Sequence, residues 1–309
     1  MPEDWLAVAL RSALYLDLMV VFGVALFGVH AMRESDRRSA MARQYVRVIG
    51  SAAALGIGLS LASMVVMAKA MTGASAYAEL SAHVFSMIVT GTAVGLALVM
   101  RAVALLAVLA AVVALSTRPL PRLSVLSAIG AVALATLAWA GHGAMDDGMR
   151  GVFHLVIDIA HLLAAGAWVG ALVAFVMLAS VAKDASPEAA DLLGRASNGF
   201  AHIGTLIVAT LVVTGVANYF LIAGPTLDGL PGTAYGNLLL VKLALFALML
   251  LLAAANRYRL SPRLAAALCI GSYAEAVAVL RRSLVMEASL AGLILVLVAW
   301  LGVLSPTGA

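Results

Sequence analysis

The sequence predicts an all-α protein, a polytopic membrane bundle of about eight transmembrane helices with both termini on the outer, periplasmic side. Three observations support this prediction. Hydrophobic residues make up 64% of the 309-residue chain, charged residues make up 11%, and the mean hydropathy is +1.09. Soluble proteins are only about 45–50% apolar and about 25% charged. The apolar residues form long runs, and arginine is concentrated between alternate runs.

The eight predicted spans are the segments long and apolar enough to cross a bilayer, which requires about 20 residues. They cover residues 5–31, 46–71, 88–115, 122–141, 151–182, 200–223, 237–256 and 284–304. The first span is expected to be retained, because its apolar run is too long for a signal peptide and follows acidic residues. We expect one membrane domain, residues 1–309, with an N-terminal four-helix half (1–141) and a C-terminal four-helix half (142–309).

Two further helices are predicted outside the spans. The stretch YAELSAHVFSMIV, before the third span, can form a short surface helix. The stretch YRLSPRLAAALCIGSYAEAVAVLRR, after the seventh span, is predicted to contain one amphipathic surface helix that ends at Arg281 and Arg282.

The orientation follows from the basic residues, which accumulate in every second loop. These are five arginines in MRESDRRSAMARQYVR, then Arg118 and Arg122, Lys183 and Arg195, and finally Arg257, Arg259, Arg263, Arg281 and Arg282. The opposite loops contain only Lys69 and Arg150. By the positive-inside rule the arginine-rich loops face the cytoplasm and both termini face outward. The net charge of +4 is explained by this pattern without nucleic-acid binding.

Sequence motifs of enzymes are absent from the chain. It has no phosphate-binding G-x-x-x-x-G-K-[ST] motif, no H-E-x-x-H motif and no Ser/His/Asp set in a catalytic context. Cys269 is the only cysteine, so neither a disulfide framework nor a Cys-x-x-Cys motif is available. We therefore do not expect an enzyme.

Methionine and histidine accumulate at the predicted outer ends of the spans. They are Met64, Met67 and Met71 on one face of span 2, His83 in the next outer loop, and His142, Met145, Met149 and His154 around the start of span 5. Thioethers favour Cu(I), and imidazole binds both copper oxidation states, so this set of side chains suits copper. The alternative is that the methionines are packing residues and the loop is an ordinary polar loop.

Span 5 also carries ionisable residues below its outer end. His154, Asp158 and His161 lie at i, i+4 and i+7 on one face and descend about 10 Å at about 1.5 Å per residue. Ionisable groups inside a bilayer are costly, and they are therefore functional candidates. Lys242 in span 7 reaches a similar depth and is a plausible partner of Asp158, either structurally or functionally.

Other polar residues lie within or near the spans. Asp17 and Arg101 both fall near the middle of the membrane, and we expect them to neutralise each other. Glu287 and His202, at the predicted inner starts of their spans, can form the inner end of a path for metal or protons, or can satisfy helix ends. Asn256 closes span 7.

The stretch AAGAWVGAL in span 5 combines small residues with a tryptophan. Gly166 and Gly170 are expected to allow close helix packing, because small residues let membrane helices approach each other. Trp168 lies deep in the span, so its indole N–H is predicted to have a hydrogen-bond partner.

Several longer stretches resemble the copper-resistance protein D (CopD/PcoD) family. These are DIAHLLAAGAWVGALV, TGVANYFLI, YGNLLLVKLALFALMLLLAAANRYRLSPRL and LVMEASLAGLILVLVAWLGVLSP. Together they cover most of the chain from Gly141 to Pro306. The first half is similar mainly in its span pattern and in TGTAVGLALVMR. The family's glycine pair after the tryptophan is Gly170–Ala171 here, which should preserve close packing.

The resemblance implies an eight-span bacterial inner-membrane protein that moves copper, as Cu(I), Cu(II) or both, from the periplasm to the cytoplasm. It also implies a separate periplasmic copper-binding partner of the small β-sandwich CopC type. The residues that match the family pattern are His142, Asp158, His161, Trp168, Lys242, Asn256, Arg257 and Glu287.

Two alternatives remain open at the level of sequence. One is a membrane electron carrier that binds b-type haem through histidines such as His161 and His202. The other is a copper sensor or docking platform that does not transport, which would need the outer Met/His cluster but not the inner polar residues.

Overall fold

The computed structural model is an all-helical bundle, as the sequence predicts. It describes residues 5–140, 148–183, 186–224 and 232–304, and these ranges contain no β-strand. The helices of the described ranges are α1 (Trp5–Ala31), α2 (Ala40–Thr72), α3 (Ala82–Gly91), α4 (Ala93–Ala114), α5 (Pro119–Ala135), α6 (Gly148–Lys183), α7 (Pro187–Ala223), α8 (Ala234–Ala255), α9 (Ser261–Cys269) and α10 (Ala274–Leu301).

Eight segments within the described ranges are long and apolar enough to cross a bilayer, which confirms the predicted number of spans. They begin at α1, α2, α4, α5, α6, α7, α8 and α10. The division predicted at residue 141 falls in a segment outside the described residues.

The third span begins later than predicted, because the helix is interrupted at Thr92. The Thr92 hydroxyl donates to the carbonyl of Ile88 at the end of α3 and accepts the N–H of Gly95 at the start of α4. Gly95 is needed here, since a Cβ at this position would collide with the Ile88 carbonyl. α3 is therefore the separate short helix that the sequence allowed.

Several spans begin earlier than hydropathy predicts, because helix caps rather than apolar runs set their ends. Ser39 caps α2 and Ser186 caps α7, each through a side chain that accepts a backbone N–H of the first turn. The predicted surface helix ending at Arg281 and Arg282 is wrong. α9 ends at Cys269, and both arginines lie inside α10, which begins at Ala274.

Glycines fix the crossing of α1 and α6 at the centre of the bundle. A Cβ on Gly23 would collide with the Gly166 carbonyl and lie 2.7 Å from Cα of Gly170. A Cβ on Gly170 would in turn collide with the backbone of Gly23. The two helices therefore touch backbone to backbone, and the predicted packing role of Gly166 and Gly170 is confirmed.

The remaining helices pack around this central pair. α2, α5 and α10 pack on α1, and α4 packs on α2 and α5. α7 and α10 pack on α6, whereas α8 packs on α10. α7 and α8 are thus held by different neighbours, and a cavity lies between them.

Both ends of the described chain meet on one side of the bundle, hereafter the terminal end. Arg11 donates to the carbonyl of Gly302 at 3.0 Å, and the rings of Trp5 and Trp300 pack edge to face at 5.1 Å. The opposite side, hereafter the arginine-rich end, carries the connections from α1 to α2, α4 to α5, α6 to α7 and α8 to α10.

At the arginine-rich end, Arg195 of α7 forms ion pairs with two aspartates. Arg195 lies 3.2 Å from Asp36, which precedes α2, and 2.9 Å from Asp191. Partial burial would raise the pKa of Asp36, but hydrogen bonds from Arg195 and from the Arg33 N–H hold it below its ordinary value. The start of α7 is thereby attached to the turn between α1 and α2.

The close approach of α1 and α6 at their glycines leads to a prediction about stability. Gly170→Ala should destabilise the bundle by about 1–3 kcal/mol, because the added methyl group must push α1 and α6 apart. Gly58→Ala in α2 is the matched control, since a Cβ there has open space around it. The thermal unfolding midpoint of the detergent-solubilised proteins tests this. Equal midpoints for the Gly170 variant and the wild type would refute the close approach.

Candidate functional site

The first polar cluster inside the bundle, the Asp158 site, lies between α6 and α7. Asp158 Oδ1 accepts a hydrogen bond from Asn218 Nδ2 at 2.7 Å, and its Oδ2 lies 3.9 Å from Nε2 of the buried His154. One turn further along α6, His161 Nδ1 lies 2.8 Å from Thr214 Oγ1. Asp158 and His161 therefore face α7, where Thr214 and Asn218 are four residues apart on one face.

The hydrogen bonds of Thr214 bear on the tautomer of His161. Thr214 Oγ1 lies within hydrogen-bond distance of both the Thr210 carbonyl and His161 Nδ1. When the hydroxyl donates to Thr210, it accepts from the Nδ1–H of His161, and the imidazole lone pair is then on Nε2. Lys242 of α8 is half-buried and lies within electrostatic range of both Asp158 and His161. The Asp158 site thus combines a carboxylate, an imidazole lone pair and an ammonium group.

The second cluster, the Glu287 site, joins α6, α10 and the end of α8. Glu287 is 3% exposed, and its Oε1 accepts from Trp168 Nε1 at 2.9 Å. Its Oε2 accepts from Asn256 Nδ2 at 2.8 Å. The predicted partner of the deep tryptophan is therefore found. Asn256 begins a π-helical turn, residues 256–260, between α8 and α9, a distortion that often occurs at functional sites.

A cavity of about 270 Å³ opens beside the Glu287 site. It lies between α7 and α8, with α6 and α10 behind it, and Trp168, Asn256 and Glu287 contribute to its wall. Arg257 also lines it and donates to Thr205 Oγ1 at 2.7 Å. Toward the Asp158 site, the ring of Phe246 packs against Trp168 at 6.4 Å. An aromatic pair therefore stands beside the Glu287 site, and Trp168 is its member on the cavity wall.

The two sites share an unusual arrangement. In each one an asparagine donates its amide N–H to the carboxylate, and its own oxygen, Asn218 Oδ1 or Asn256 Oδ1, is buried without a hydrogen-bond partner in the described structure. Buried acceptors normally have a partner, so an unused one needs an explanation. An amide oxygen next to a carboxylate is an arrangement that a cation can use.

The predicted outer Met/His cluster is only partly described. His142 and Met145 lie outside the described residues. The others lie at the terminal end with differing exposure: Met149 is 83% and Met71 60% exposed, His83 is exposed, Met64 and Met67 are half-buried, and His154 is buried. Within the described ranges, no group of three or more His, Cys, Asp or Glu is placed to hold a metal ion. Metal binding by this cluster stays a prediction.

The structure separates the methionine face of α2 from the Asp158 site. α2 packs on α1 and α4, whereas Asp158 and His161 point to α7. A role shared by the α2 methionines and the Asp158 site therefore depends on the segment 141–147 or on a bound ion.

The predicted pairing of Asp17 with Arg101 is wrong. Arg101 donates to Thr136 through Nε at 2.8 Å, and the described part of the chain provides it with no ion pair. Asp17 instead faces Gly56 of α2. The two residues lie at similar depth, but the rotation of each helix directs them to different neighbours.

Glu287 and His202, which were expected to form the inner end of a path or to satisfy helix ends, lie in different surroundings. His202 is exposed on the outside of α7, while its neighbours Ala201 and Thr205 line the cavity. Glu287 does not begin a helix, because α10 starts thirteen residues earlier, at Ala274. Glu287 therefore lies near the middle of its helix, where a helix-end role is excluded.

The sequence analysis missed Thr214 and Asn218 as site residues. Both lie in the stretch TGVANYFLI, four residues apart in an otherwise apolar span. Polar side chains at this spacing share one helix face, and that pattern could have identified them.

Comparison with known proteins gives consistent matches along the chain. Residues 1–152 match the family model described as Copper resistance protein D-like, N-terminal domain, and residues 194–301 match the model Copper resistance protein D. The chain is 46% identical over 305 residues to Copper resistance protein D of Pseudomonas syringae pv. tomato, with 98% of each chain covered.

Two more distant relatives are similar over most of this chain. Inner membrane protein YebZ of Escherichia coli (strain K12) is 29% identical, covering 83% of this chain and 85% of its own. Copper transport protein CutJ of Bacillus subtilis (strain 168) is 28% identical, covering 79% of this chain and 44% of its own. No solved structure matches the chain significantly.

The Glu287 site makes a prediction about stability. Glu287→Ala should lower the thermal unfolding midpoint, because the N–H groups of Trp168 and Asn256 lose their acceptor, at about 1–3 kcal/mol for each unsatisfied group. Glu287→Gln should stay close to the wild type, since its amide oxygen still accepts from Trp168 and the Asn256 amide can turn over. Intrinsic fluorescence, with Trp168→Phe to identify the Trp168 contribution, should shift only in the alanine variant. Equal loss in both variants would contradict this account.

Proposed function

The chain belongs to the copper resistance protein D family, and from this membership we propose that it transports copper across the bacterial inner membrane, from the periplasm to the cytoplasm. One observation supports transport in particular. Two polar sites follow one another along α6 inside an apolar bundle, each with a carboxylate–asparagine hydrogen bond that is part-buried at Asp158 and buried at Glu287. Asp158 and Trp168 are ten residues apart, which is about 15 Å along the helix.

The Asp158 site has side chains that a copper ion can use on its way through the membrane. His161 Nε2 offers an imidazole lone pair, Asp158 offers a carboxylate, and Asn218 Oδ1 is a buried acceptor without a hydrogen bond in the described structure. Imidazole binds both copper oxidation states, and carboxylate and amide oxygens favour Cu(II). Without copper, the Lys242 ammonium balances the Asp158 carboxylate, and an arriving cation would take over that role.

The outer Met/His cluster would capture copper before it reaches the Asp158 site. In this proposal His142, Met145, Met149 and His154 act with Met64, Met67, Met71 and His83 at the terminal end. Thioether ligands suit Cu(I), and methionine is not titrated. A separate CopC-like protein would deliver copper on the periplasmic side. No enzymatic activity is part of the proposal.

The Glu287 site would receive the ion next. Glu287 and Asn256 provide the second carboxylate and the second unused amide oxygen. Phe246 and Trp168 pack between the two sites, so passage would require this aromatic pair to move. Beyond it, the cavity between α7 and α8 extends to Arg257 at the arginine-rich end.

Haem ligation by His161 and His202 is disfavoured by the geometry. His161 contacts Thr214, which lies twelve residues along α7 from His202, or about 18 Å. His202 is exposed on the outside of the helix. Two such residues cannot bind the same iron.

The transport proposal predicts copper uptake by liposomes that contain the purified protein. His161→Ala and Asp158→Asn should each lower the initial rate by about 10–100-fold, the range seen when groups that support a metal site are removed. His202→Ala is the matched control, because this histidine is exposed on the outside of the bundle. Wild-type uptake no faster than that of empty liposomes would rule out transport.

Glu287→Gln distinguishes transport from a docking platform. The variant replaces the carboxyl group of the inner site by an amide of the same shape. It should reduce uptake if copper passes this site. Full copper-dependent activity in cells would instead favour a platform that uses only the terminal end.

The proposed orientation has its own test, because Cys269 is the only cysteine and is exposed at the arginine-rich end. A membrane-impermeant maleimide added to spheroplasts should leave Cys269 unlabelled. In a Cys269→Ala background, Ser75→Cys at the opposite end should be labelled. The reverse pattern would place the termini in the cytoplasm.

A further inference from the structure

The N-terminal half contains a buried carboxyl group that the proposed copper path does not use. Asp17 of α1 is 6% exposed, and its Oδ2 has no hydrogen-bond partner within the described structure. In this respect it differs from Asp158 and Glu287, which both accept hydrogen bonds from asparagine.

The space beside Asp17 Oδ2 is small, and uncharged groups line it. Its Oδ2 faces Gly56 of α2 so closely that a Cβ there would collide with it, and Leu105 of α4 closes the same space. The nearby hydroxyl of Ser60 is already committed, because it donates to the Gly56 carbonyl at 2.7 Å. The surroundings therefore offer neither a donor nor a cation in the described structure.

The helices that face Asp17 are α2 and α4, and they carry their charged and titratable groups at other positions. Those of α2 are Arg43, Tyr45, Arg47 and Lys69, all at least nine residues from Gly56. The only one of α4 is Arg101, one turn from Leu105, and it binds the uncharged Thr136 through Nε and, at 3.4 Å, through its terminal nitrogen.

The other neighbours of α1 pack on different faces of the helix. α5 and α6 contact it around Phe22 and Gly23. On α6, Asp158 binds Asn218 and lies near His154, and His161 contacts Thr214. On α10, Arg281 binds Ser180 and Glu287 binds Trp168. On α1 itself, Arg11 binds the Gly302 carbonyl and stacks over Tyr15.

An ionised carboxylate in such a place costs several kcal/mol, and a buried acid without a partner avoids that cost by binding a proton. Asp17 is thus a buried acid without a hydrogen-bond or ionic partner within the described structure.

We propose that Asp17 is a proton-binding site of this protein, protonated in the conformation described here. When the site releases its proton, the O–H bond of the carboxylic acid breaks and the proton passes to water. Neither oxidation nor reduction takes place. The role of this proton as the ion exchanged for copper rests on the proposed transport function.

Infrared difference spectroscopy of the full-length protein in liposomes tests the proton site without copper. A pH titration of the wild type should show the C=O stretch of a protonated carboxylic acid, and Asp17→Asn should lose that component. Glu287→Gln and Asp158→Asn should keep it. Gly56→Ala should shift the frequency of the same component, because the new methyl group presses on Oδ2. An unchanged carboxylic-acid signal in Asp17→Asn would overturn the proposal.

Copper uptake measured with an imposed pH gradient tests the exchange. The gradient should accelerate uptake by the wild type several-fold and leave Asp17→Asn unaffected. Equal acceleration of both proteins would refute the exchange role. If the wild type carries no copper at all, the transport function fails, while the infrared titration still decides whether Asp17 binds the proton.

Discussion

The backbone contact between α1 and α6 is the constraint on which the rest of the bundle depends. Gly23 meets Gly166 and Gly170 without any side chain between the helices, which fixes both their distance and their rotation. Trp168 lies between the two glycines in sequence and is directed to Glu287 of α10. One crossing of small residues therefore decides which face of α6 packs on α1 and which face carries chemistry.

The rotation of α6 at the glycine crossing determines which helices its polar side chains reach. Asp158, His161 and Trp168 each find a partner on another helix, in Asn218, Thr214 and Glu287 respectively. Without water to replace these bonds, each polar group in the apolar interior depends on a fixed neighbour. The three bonds in turn hold α7 and α10 against α6, whereas α8 and α7 stay apart around the cavity.

The sequence predicts the elements of this fold far better than their contacts. Composition and run length determine the number of spans, and the i, i+4, i+7 spacing shows which residues share a face of α6. Hydropathy does not fix the rotation of one helix relative to another, so the predicted Asp17–Arg101 pair was wrong although the two residues lie at similar depth. Helix ends set by Ser39 and Ser186 are also invisible to hydropathy, because a capped helix continues beyond the bilayer.

The three carboxyl groups inside the bundle differ in their hydrogen-bond partners. Glu287 accepts N–H donors from Trp168 and Asn256, and Asp158 accepts one from Asn218. Asp17 Oδ2 has no hydrogen-bond partner within the described structure and faces the backbone of Gly56. A proton is the smallest species that neutralises such a group without requiring further ligands. The proposed copper path and the proposed proton site therefore lie at different carboxyl groups of the same bundle.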